Sequence, residues 1–556
     1  MQITGAELLI KCLKAQGVDT IFGFPGGFAI NIYDALHQDG TIRHILTSHE
    51  QGAAHGADGY ARATGKVGVV MSTSGPGATN LVTGIATANM DSVPIVAITG
   101  NVPLSMLGRD SFQEVDITGV TMPITKHNYI VPNVEDLPRI VAEAFSIASS
   151  GRKGPVLIDI PKDVQIAPYE YSEDKLIKMK TSLPKKPSKE SLAKMAAFIN
   201  KAKRPLIYYG GGIISANASK ELAAFAEKLD SPTTCSLMGL GGMSSKHRLF
   251  VGTIGMHGDL RSAQALKTCD TLIAIGARFS DRVAGDRKKF AENIKVAHID
   301  IDKAEINKNV RVDASLVADA KVALKALLPL IKQKNNKEWL AEITKNSAKH
   351  TVAKSKADPN PKHIIELIRE LSPNNQIVAT DVGQHQMWTS QFFKFYRPRT
   401  FISSLGLGTM GYGLGAANGV AVGTGRKTIL ITGDGSFHMN MNELATACKY
   451  NLPVVIFVLN NRTLGMVRQW QTLFFNKRYS QTNIEQKTDF VKLAEVFGAK
   501  GFRITSNAEA PAIIKKALAQ SVPVVVDCQI DTDEFVLPMI PAGKTVDDII
   551  TNPELN

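Results

Sequence analysis

The chain has 556 residues, of which 44% are apolar and 21% charged, with a formal net charge of +13. That length exceeds a single ordinary core and predicts about three domains, and the balance of apolar to charged residues excludes a disordered chain. The lysines are scattered or gathered in linker-like stretches, without interleaved aromatics, so the basic surplus reads as solvated surface and not as a nucleic-acid footprint.

In chain order, Thr4 and Glu7 form a T-x-x-E capping box that opens an amphipathic helix. No signal or transit pattern marks the amino terminus, and no apolar run is long enough to span a bilayer, so no membrane association is expected. The five cysteines (Cys12, Cys235, Cys269, Cys448 and Cys528) are isolated and form no CxxC. They argue against a disulfide framework or a zinc site, and predict a cytoplasmic protein. Over 1–167, strand-like runs at Ile42–Thr47, Val67–Ser72, Val93–Thr99 and Val156–Ile160 alternate with helical segments. A Lys/Pro/Ser-rich linker is predicted over 168–191. A second unit, 192–330, carries strands at Pro205–Tyr209, Thr271–Ile275 and Val296–Ile301, and a connector with helical periodicity covers 331–361. A third unit, 362–530, has strands at Ile377–Thr380, Thr428–Thr432, Val454–Leu459 and Val524–Cys528, before a tail over 531–556. Short, continuously apolar strands between helices predict an α/β protein of three doubly wound parallel sheets, with ligands beyond the carboxyl ends of the strands.

The sharpest local signal is in the third unit. Thr428–Thr432 ends in Gly433-Asp434-Gly435-Ser436; a helix from about Asn440 to Tyr450 and the strand Val454–Leu459 follow, ending in Asn460-Asn461. This βαβ unit brings Asp434 and Asn461 to one edge of adjacent strands. A carboxylate and an amide oxygen there suit magnesium, a hard ion completed by phosphate and water, while Gly433 and Gly435 let backbone N–H groups approach a phosphate. Each half alone would be an ordinary capped turn. The pairing, with 24 residues between Gly435 and Asn460, is much rarer. Gly406–Gly411 is a literal GxGxxG, a weak dinucleotide signal with no acidic residue about twenty positions on. In the first unit Glu50 follows a strand and opens a Gly/Ala-rich helix, where a carboxylate is also favoured by the helix dipole.

The GDG…NN pairing resembles the signature of thiamine-diphosphate enzymes. His49-Glu50-Gln51, Gly59–Arg62 and Thr73–Asn80 are similar to the pyrimidine-binding domain of that family. The resemblance implies that Asp434, Asn461 and the main-chain carbonyl of Thr463 ligate magnesium, and that Gly383, Gln384, His385, Gly408, Met410, Gly433, Gly435, Ser436 and Met466 meet thiamine diphosphate. It makes Glu50 the carboxyl that activates the cofactor's aminopyrimidine, chemistry that the thiazolium needs because its C2 acid is far too weak to ionise unaided.

Fold alone does not choose among decarboxylases, oxidases and carboligases. Phe24–Gly27, Arg109–Glu114, Arg278–Arg282, Gly465–Gln471, Gly255–Gly258 and Pro161–Asp163 together resemble the acetolactate (acetohydroxyacid) synthase large catalytic subunits over nearly the whole chain. By that resemblance Gly27, Phe112, Gln113 and Lys162 line the active site, and Arg282 and Trp470, with Met466 nearby, receive a second 2-oxo acid. A guanidinium for its carboxylate and an indole for its alkyl group make chemical sense. The same resemblance assigns FAD to Arg152, Gly211, Gly212, Met256, His257, Arg278 and Asp300. It implies decarboxylation of pyruvate and ligation of the two-carbon unit to pyruvate or 2-oxobutyrate, the first common step of valine, leucine and isoleucine biosynthesis. It further implies a homodimer or homotetramer and a small regulatory subunit. The sequence departs from the family pattern at Phe28, Leu405, Gly415 and Ser280, which leaves acceptor preference open. A pyruvate oxidase or a 2-oxo-acid decarboxylase is the alternative within enzymes, and an inactive cofactor-binding scaffold the alternative outside them.

Overall fold

Three six-stranded sheets, every strand pair parallel, form the frame of the molecule. The computed structural model describes residues 1–179, 184, 186–287, 289–484 and 487–552; part of the predicted linker (180–183 and 185) and of the tail (553–556) lies outside the described residues. Runs such as Val454–Asn460 are buried along their whole length, because a parallel strand in mid-sheet has helices on both faces and no side for water. The β-branched residues that make these runs apolar also favour the pleated backbone.

The amino-terminal sheet has the order Arg43–Leu46, Thr20–Gly23, Gly68–Ser72, Ile95–Asn101, Val156–Pro161, His127–Ile130. The central sheet runs Phe250–Thr253, Thr233–Cys235, Pro205–Tyr209, Thr271–Ile275, Lys295–Asp300, Ala314–Val317. The carboxy-terminal sheet runs Phe401–Ser403, Ile377–Thr380, Thr428–Gly433, Val454–Asn460, Val524–Gln529, Lys500–Ile504. In each sheet the chain winds outward in one direction and then returns to wind in the other. The switch points therefore fall between Thr20–Gly23 and Gly68–Ser72, between Pro205–Tyr209 and Thr271–Ile275, and between Ile377–Thr380 and Thr428–Gly433. Open α/β sheets leave a crevice at such points beyond the carboxyl ends of the strands.

The Thr4–Glu7 capping box is present in both halves, and a short antiparallel pair joins Gln2–Thr4 to Pro168–Glu170. The predicted connector contains the helix Lys337–Ser347. After the last strand the chain turns back: Glu534 and Val536 bond to Gln384 and Gln469, and the Ile540 N–H donates to the Met256 carbonyl at 2.7 Å.

The amino- and carboxy-terminal units are joined through the helices Glu50–Thr64 and Gly413–Thr424, whose backbones touch. A Cβ at Gly419 would overlap the Gly56 carbonyl, and one at Gly59 would overlap the Ala416 carbonyl. Buried polar groups seal the contact. Arg62 pairs with Asp58 at 2.6 Å and Asp91 at 2.8 Å, the Tyr412 hydroxyl donates to Asp58 at 2.6 Å, and Asp91 accepts from the Leu405 and Gly406 N–H groups. Gly419→Ala is therefore expected to lower stability by about 1–3 kcal/mol through overpacking; an unchanged melting temperature would mean that the two helices have room to spare.

Candidate active site

The switch point of the carboxy-terminal sheet gathers the predicted diphosphate residues. Gly383, with a φ of +147°, leads from the first switch strand into the helix Gln384–Phe392. The His385 ring lies where side chains on Gly383 and Gly433 would stand, about 3 Å from either Cβ position. Its Nε2 is buried without a hydrogen-bond partner, and burial holds the imidazole at about 3, so it is neutral. Asp434 is itself the first residue of a helix, Asp434–Asn440, followed by a second, Glu443–Lys449. The single helix predicted from Asn440 to Tyr450 is corrected on this point: the helix starts directly at the strand end, which keeps Asp434 at the sheet edge.

Register pairs Gly433 with Leu459, so Asp434 and Asn461 emerge from adjacent strands. The N–H groups of Gly435 and Arg462 bond to the Asp434 carboxylate, and burial raises it to about 7. Asn461 donates to Gln384 Oε1 at 3.1 Å, and its Oδ1 accepts from the Thr463 N–H at 3.3 Å across a turn in which Arg462 has a φ of +58°. A side chain at Gly465 would strike both Gln384 and Asn461, so only glycine lets the helix Gly465–Phe474, with Met466, start here. The Ser436 hydroxyl donates to the Val382 carbonyl at 3.2 Å. The Met410 methyl comes within 3.9 Å of the Cβ position of Gly435, and Gly408 takes a φ of +72°. No cluster of three His, Cys, Asp or Glu occurs among the described residues. One carboxylate, one amide and main-chain oxygens are a donor set for a hard cation whose coordination is completed by phosphate and water. With His385 Nε2 unpartnered beside it, this edge fits a magnesium-bound diphosphate.

The switch point of the amino-terminal sheet gathers a second group. Glu50 opens its helix with His49 as N-cap, and the Asn80 amide donates to Glu50 Oε2 at 2.9 Å. A Cβ at Gly77 would stand 3.3 Å from Glu50 Oε1 and closer still to Thr73, whose hydroxyl accepts from the Phe28 N–H at 3.2 Å. The Lys162 ammonium lies 6.0 Å over the Phe28 ring, and Gly27 faces open space. Gln113, with a φ of +59°, packs its backbone against Gly75, and neighbouring Phe112 is 80% exposed.

The central switch point holds Gly211 and Gly212 after one strand and Arg278 after the next; the Gly212 N–H donates to the Gly276 carbonyl at 3.1 Å. His257 is buried with Nδ1 unpartnered, and burial holds it at about 4. Asp300 ends its strand and accepts from the Asp302 N–H at 2.9 Å, while Arg152 is engaged by Ser92 and by Glu305, each at 2.9 Å. Arg282 contacts Met256 Sδ at 3.7 Å and lies 5.6 Å over the ring of Trp470, whose indole Nε1 is buried and unpartnered. The two residues expected to receive a second substrate are thus neighbours.

The sequence matches three family profiles in register with the three sheets: thiamine pyrophosphate enzyme, N-terminal TPP binding domain, over residues 3–120; central domain over 192–327; and C-terminal TPP binding domain over 381–528. It is 47% identical to a probable acetolactate synthase large subunit of Methanocaldococcus jannaschii, covering 98% of this chain and 95% of that protein. It is 44% identical to the acetolactate synthase large subunit of Buchnera aphidicola, covering 97% and 96%, and 43% identical to that of Haemophilus influenzae, covering 99% and 98%. The chain belongs to the acetolactate synthase large-subunit family. It is a thiamine-diphosphate-dependent enzyme.

Several residues of this family member's site escaped the sequence reading. Gln469, fully interior, accepts from Gln384 at 3.1 Å and from the Val536 N–H at 2.8 Å, so the returning tail braces the edge that carries Asn461. Asn80 had a visible signal, because it ends the segment that carries the pyrimidine resemblance. Glu443 had none: it reaches from the carboxy-terminal unit and accepts from the Ser48 and His49 N–H groups at 3.1 and 3.0 Å, just ahead of Glu50. Burial raises its carboxyl from 4.5 to about 7. Between those values the unfolded chain has lost the proton that the folded chain keeps, so the stability contributed by this group falls as pH rises through that window. Glu443→Gln should remove that slope, an effect on the order of 3 kcal/mol across the window. Melting curves of the two proteins that stay parallel from pH 4.5 to 7 would exclude it.

Proposed function

We propose that this enzyme decarboxylates pyruvate and ligates the two-carbon unit to a second 2-oxo acid, pyruvate or 2-oxobutyrate, giving the acetohydroxy acids from which branched-chain amino acids are made. The observation that carries the reading is the pairing of Asp434 and Asn461 on one sheet edge with a separate, buried Glu50 on another, in a chain whose relatives bear the name acetolactate synthase. Asp434, Asn461 and Thr463 would hold magnesium, and the glycine-opened edge around Gly383, His385, Gly433 and Gly435 the diphosphate. Bound thiamine diphosphate supplies the nucleophilic carbon and the electron sink for decarboxylation. Glu50, oriented by Asn80, exchanges a proton with its aminopyrimidine. Arg282 pairs with the carboxylate of the acceptor and Trp470 packs its alkyl group, while Lys162, Phe112, Gln113 and Gly27 close the pocket from the amino-terminal edge.

A second copy of the chain is part of the proposal. In it the amino-terminal edge of one subunit faces the carboxy-terminal edge of another. The exposed Phe112 and Met439, at 80% and 57%, provide apolar surface for that contact. FAD is assigned to the carboxyl end of the central sheet, with Gly211, Gly212 and Arg278 at its switch point and Arg152, Met256, His257 and Asp300 as further contacts. The relatives' designation as large subunits supports a small regulatory partner. Five cysteines free of disulfides support a cytoplasmic, reducing location; no helix among the described residues is long and apolar enough to cross a membrane.

Purified protein given pyruvate, thiamine diphosphate and magnesium should form acetolactate, and Glu50→Gln should cut turnover by about 10²–10⁴-fold. Acetaldehyde or acetate without acetolactate would reject carboligation, and undiminished turnover in the variant would remove Glu50 from the mechanism. Magnesium with thiamine diphosphate should raise the melting temperature of the wild type and leave that of Asp434→Asn nearly unmoved; equal shifts in both would place the metal elsewhere.

A further inference from the structure

The loop that leaves the strand Thr20–Gly23 at the amino-terminal switch point carries Gly27 and Phe28, and the peptide of Phe28 is held on both sides. Its N–H donates to Thr73 Oγ1 at 3.2 Å, and its carbonyl accepts from Gln165 Nε2 at 2.7 Å. Gln165 is fully buried and donates the same amide group to the Ile160 carbonyl at 2.8 Å, so it is not free to follow a shifting loop. The strand Ile95–Asn101 passes so close that a Cβ at Gly100 would stand 2.1 Å from the Phe28 carbonyl oxygen. The next residue, Ala29, is wholly buried. The Phe28 main chain is therefore pinned, and only its side-chain torsions are left to vary.

The ring itself is half-buried. Lys162, first residue of the short helix Lys162–Ile166 that also carries Gln165, places its ammonium 6.0 Å over the ring. One helical turn thus holds the carbonyl of Phe28 and sets a cation over its face, which favours that ring orientation. Thr73 links the loop to the proton-exchanging carboxyl. Its methyl carbon lies 2.7 Å from the Cβ position of Gly77, and Glu50 Oε1 lies 3.3 Å from that same position. Phe28 is therefore one threonine away from Glu50, while adjacent Gly27 has nothing within 4 Å of its Cβ position. A rigid aromatic ring stands next to open space at the edge where the chemistry is placed.

We infer that Phe28 limits the length of the alkyl chain that the second 2-oxo acid can carry, so that pyruvate is the preferred acceptor and 2-oxobutyrate is disfavoured. The inference rests on the carboligase reading above and names a determinant of its substrate choice. Once carbon dioxide has left pyruvate, the unit to be transferred has a fixed length, and the alkyl group of the incoming acid is the part that varies. A wall whose main chain cannot retreat discriminates there by steric exclusion. One methylene more or less in a closed apolar pocket changes kcat/KM by roughly 10–200-fold.

The test is product analysis on the full-length enzyme, supplied with thiamine diphosphate and magnesium and given equimolar pyruvate and 2-oxobutyrate. Wild type should form acetolactate in excess over acetohydroxybutyrate. Phe28→Ala, which removes the ring and keeps both hydrogen bonds of the peptide, should raise the ratio of acetohydroxybutyrate to acetolactate at least about fivefold, with Phe28→Leu in between. Both products form in one mixture, so a lower overall rate or a partly unfolded variant leaves the ratio unmoved. A ratio within about twofold of wild type in both variants would overturn the inference and leave the carboligase reading standing. An excess of acetohydroxybutyrate from wild type would do the same, as would a change confined to products whose transferred unit comes from 2-oxobutyrate, because the ring would then act on the donor. No acetohydroxy acid of either kind from wild type would remove the carboligase reading and the inference with it.

Discussion

The direct backbone contact between the helices Glu50–Thr64 and Gly413–Thr424 is the constraint from which the rest of the architecture follows. Gly56, Gly59, Gly415 and Gly419 bring the two axes so close that their main chains touch. Interiors packed to crystal density cannot absorb an added methyl there without moving a helix. Because each helix leads directly from a ligand-bearing edge, the spacing of these glycines sets where the two edges stand relative to each other. Gly415, a departure from the family pattern, lies in this seam against Gly52 and His55, so its smallness has a packing reason.

Polar groups then make the seam specific. Arg62, Asp58, Asp91 and Tyr412 form one buried network across it, and Glu443 crosses it to hold the main chain ahead of Glu50. Buried charges of this kind are tolerated only when their hydrogen bonds are made, which ties the network to a single arrangement of the two units. The returning tail does the same for the Asp434–Asn461 edge, where Gln384 and Gln469 are both anchored to residues 534–536.

The candidate site residues gather at switch points, one to a sheet. The Asp434–Asn461 edge and the pocket around Glu50 are local consequences of the same topological fact: where the winding direction reverses, two loops diverge and leave a crevice. Assembly of the units turns three crevices into one enzyme.

Much of this was legible in the residues alone. Long apolar strands such as Thr428–Gly433 and Val454–Asn460 were visible because burial on both faces demands an unbroken β-branched run, and the capping box at Thr4–Glu7 because its bonds are made within four residues. The Asp434–Asn461 pairing was legible because one βαβ unit fixes both ends. Short strands such as His127–Ile130 and Lys500–Ile504 were not, since sheet-edge strands carry polar residues and no such run. Nor were the start of the helix at Asp434 or the reach of Glu443 to the backbone before Glu50. By itself the sequence determined the long buried strands, their parallel winding and the local donor sets, because those depend on neighbours in the chain. Only the tertiary structure decided which distant charges are neutralised, because that depends on close packing between units hundreds of residues apart.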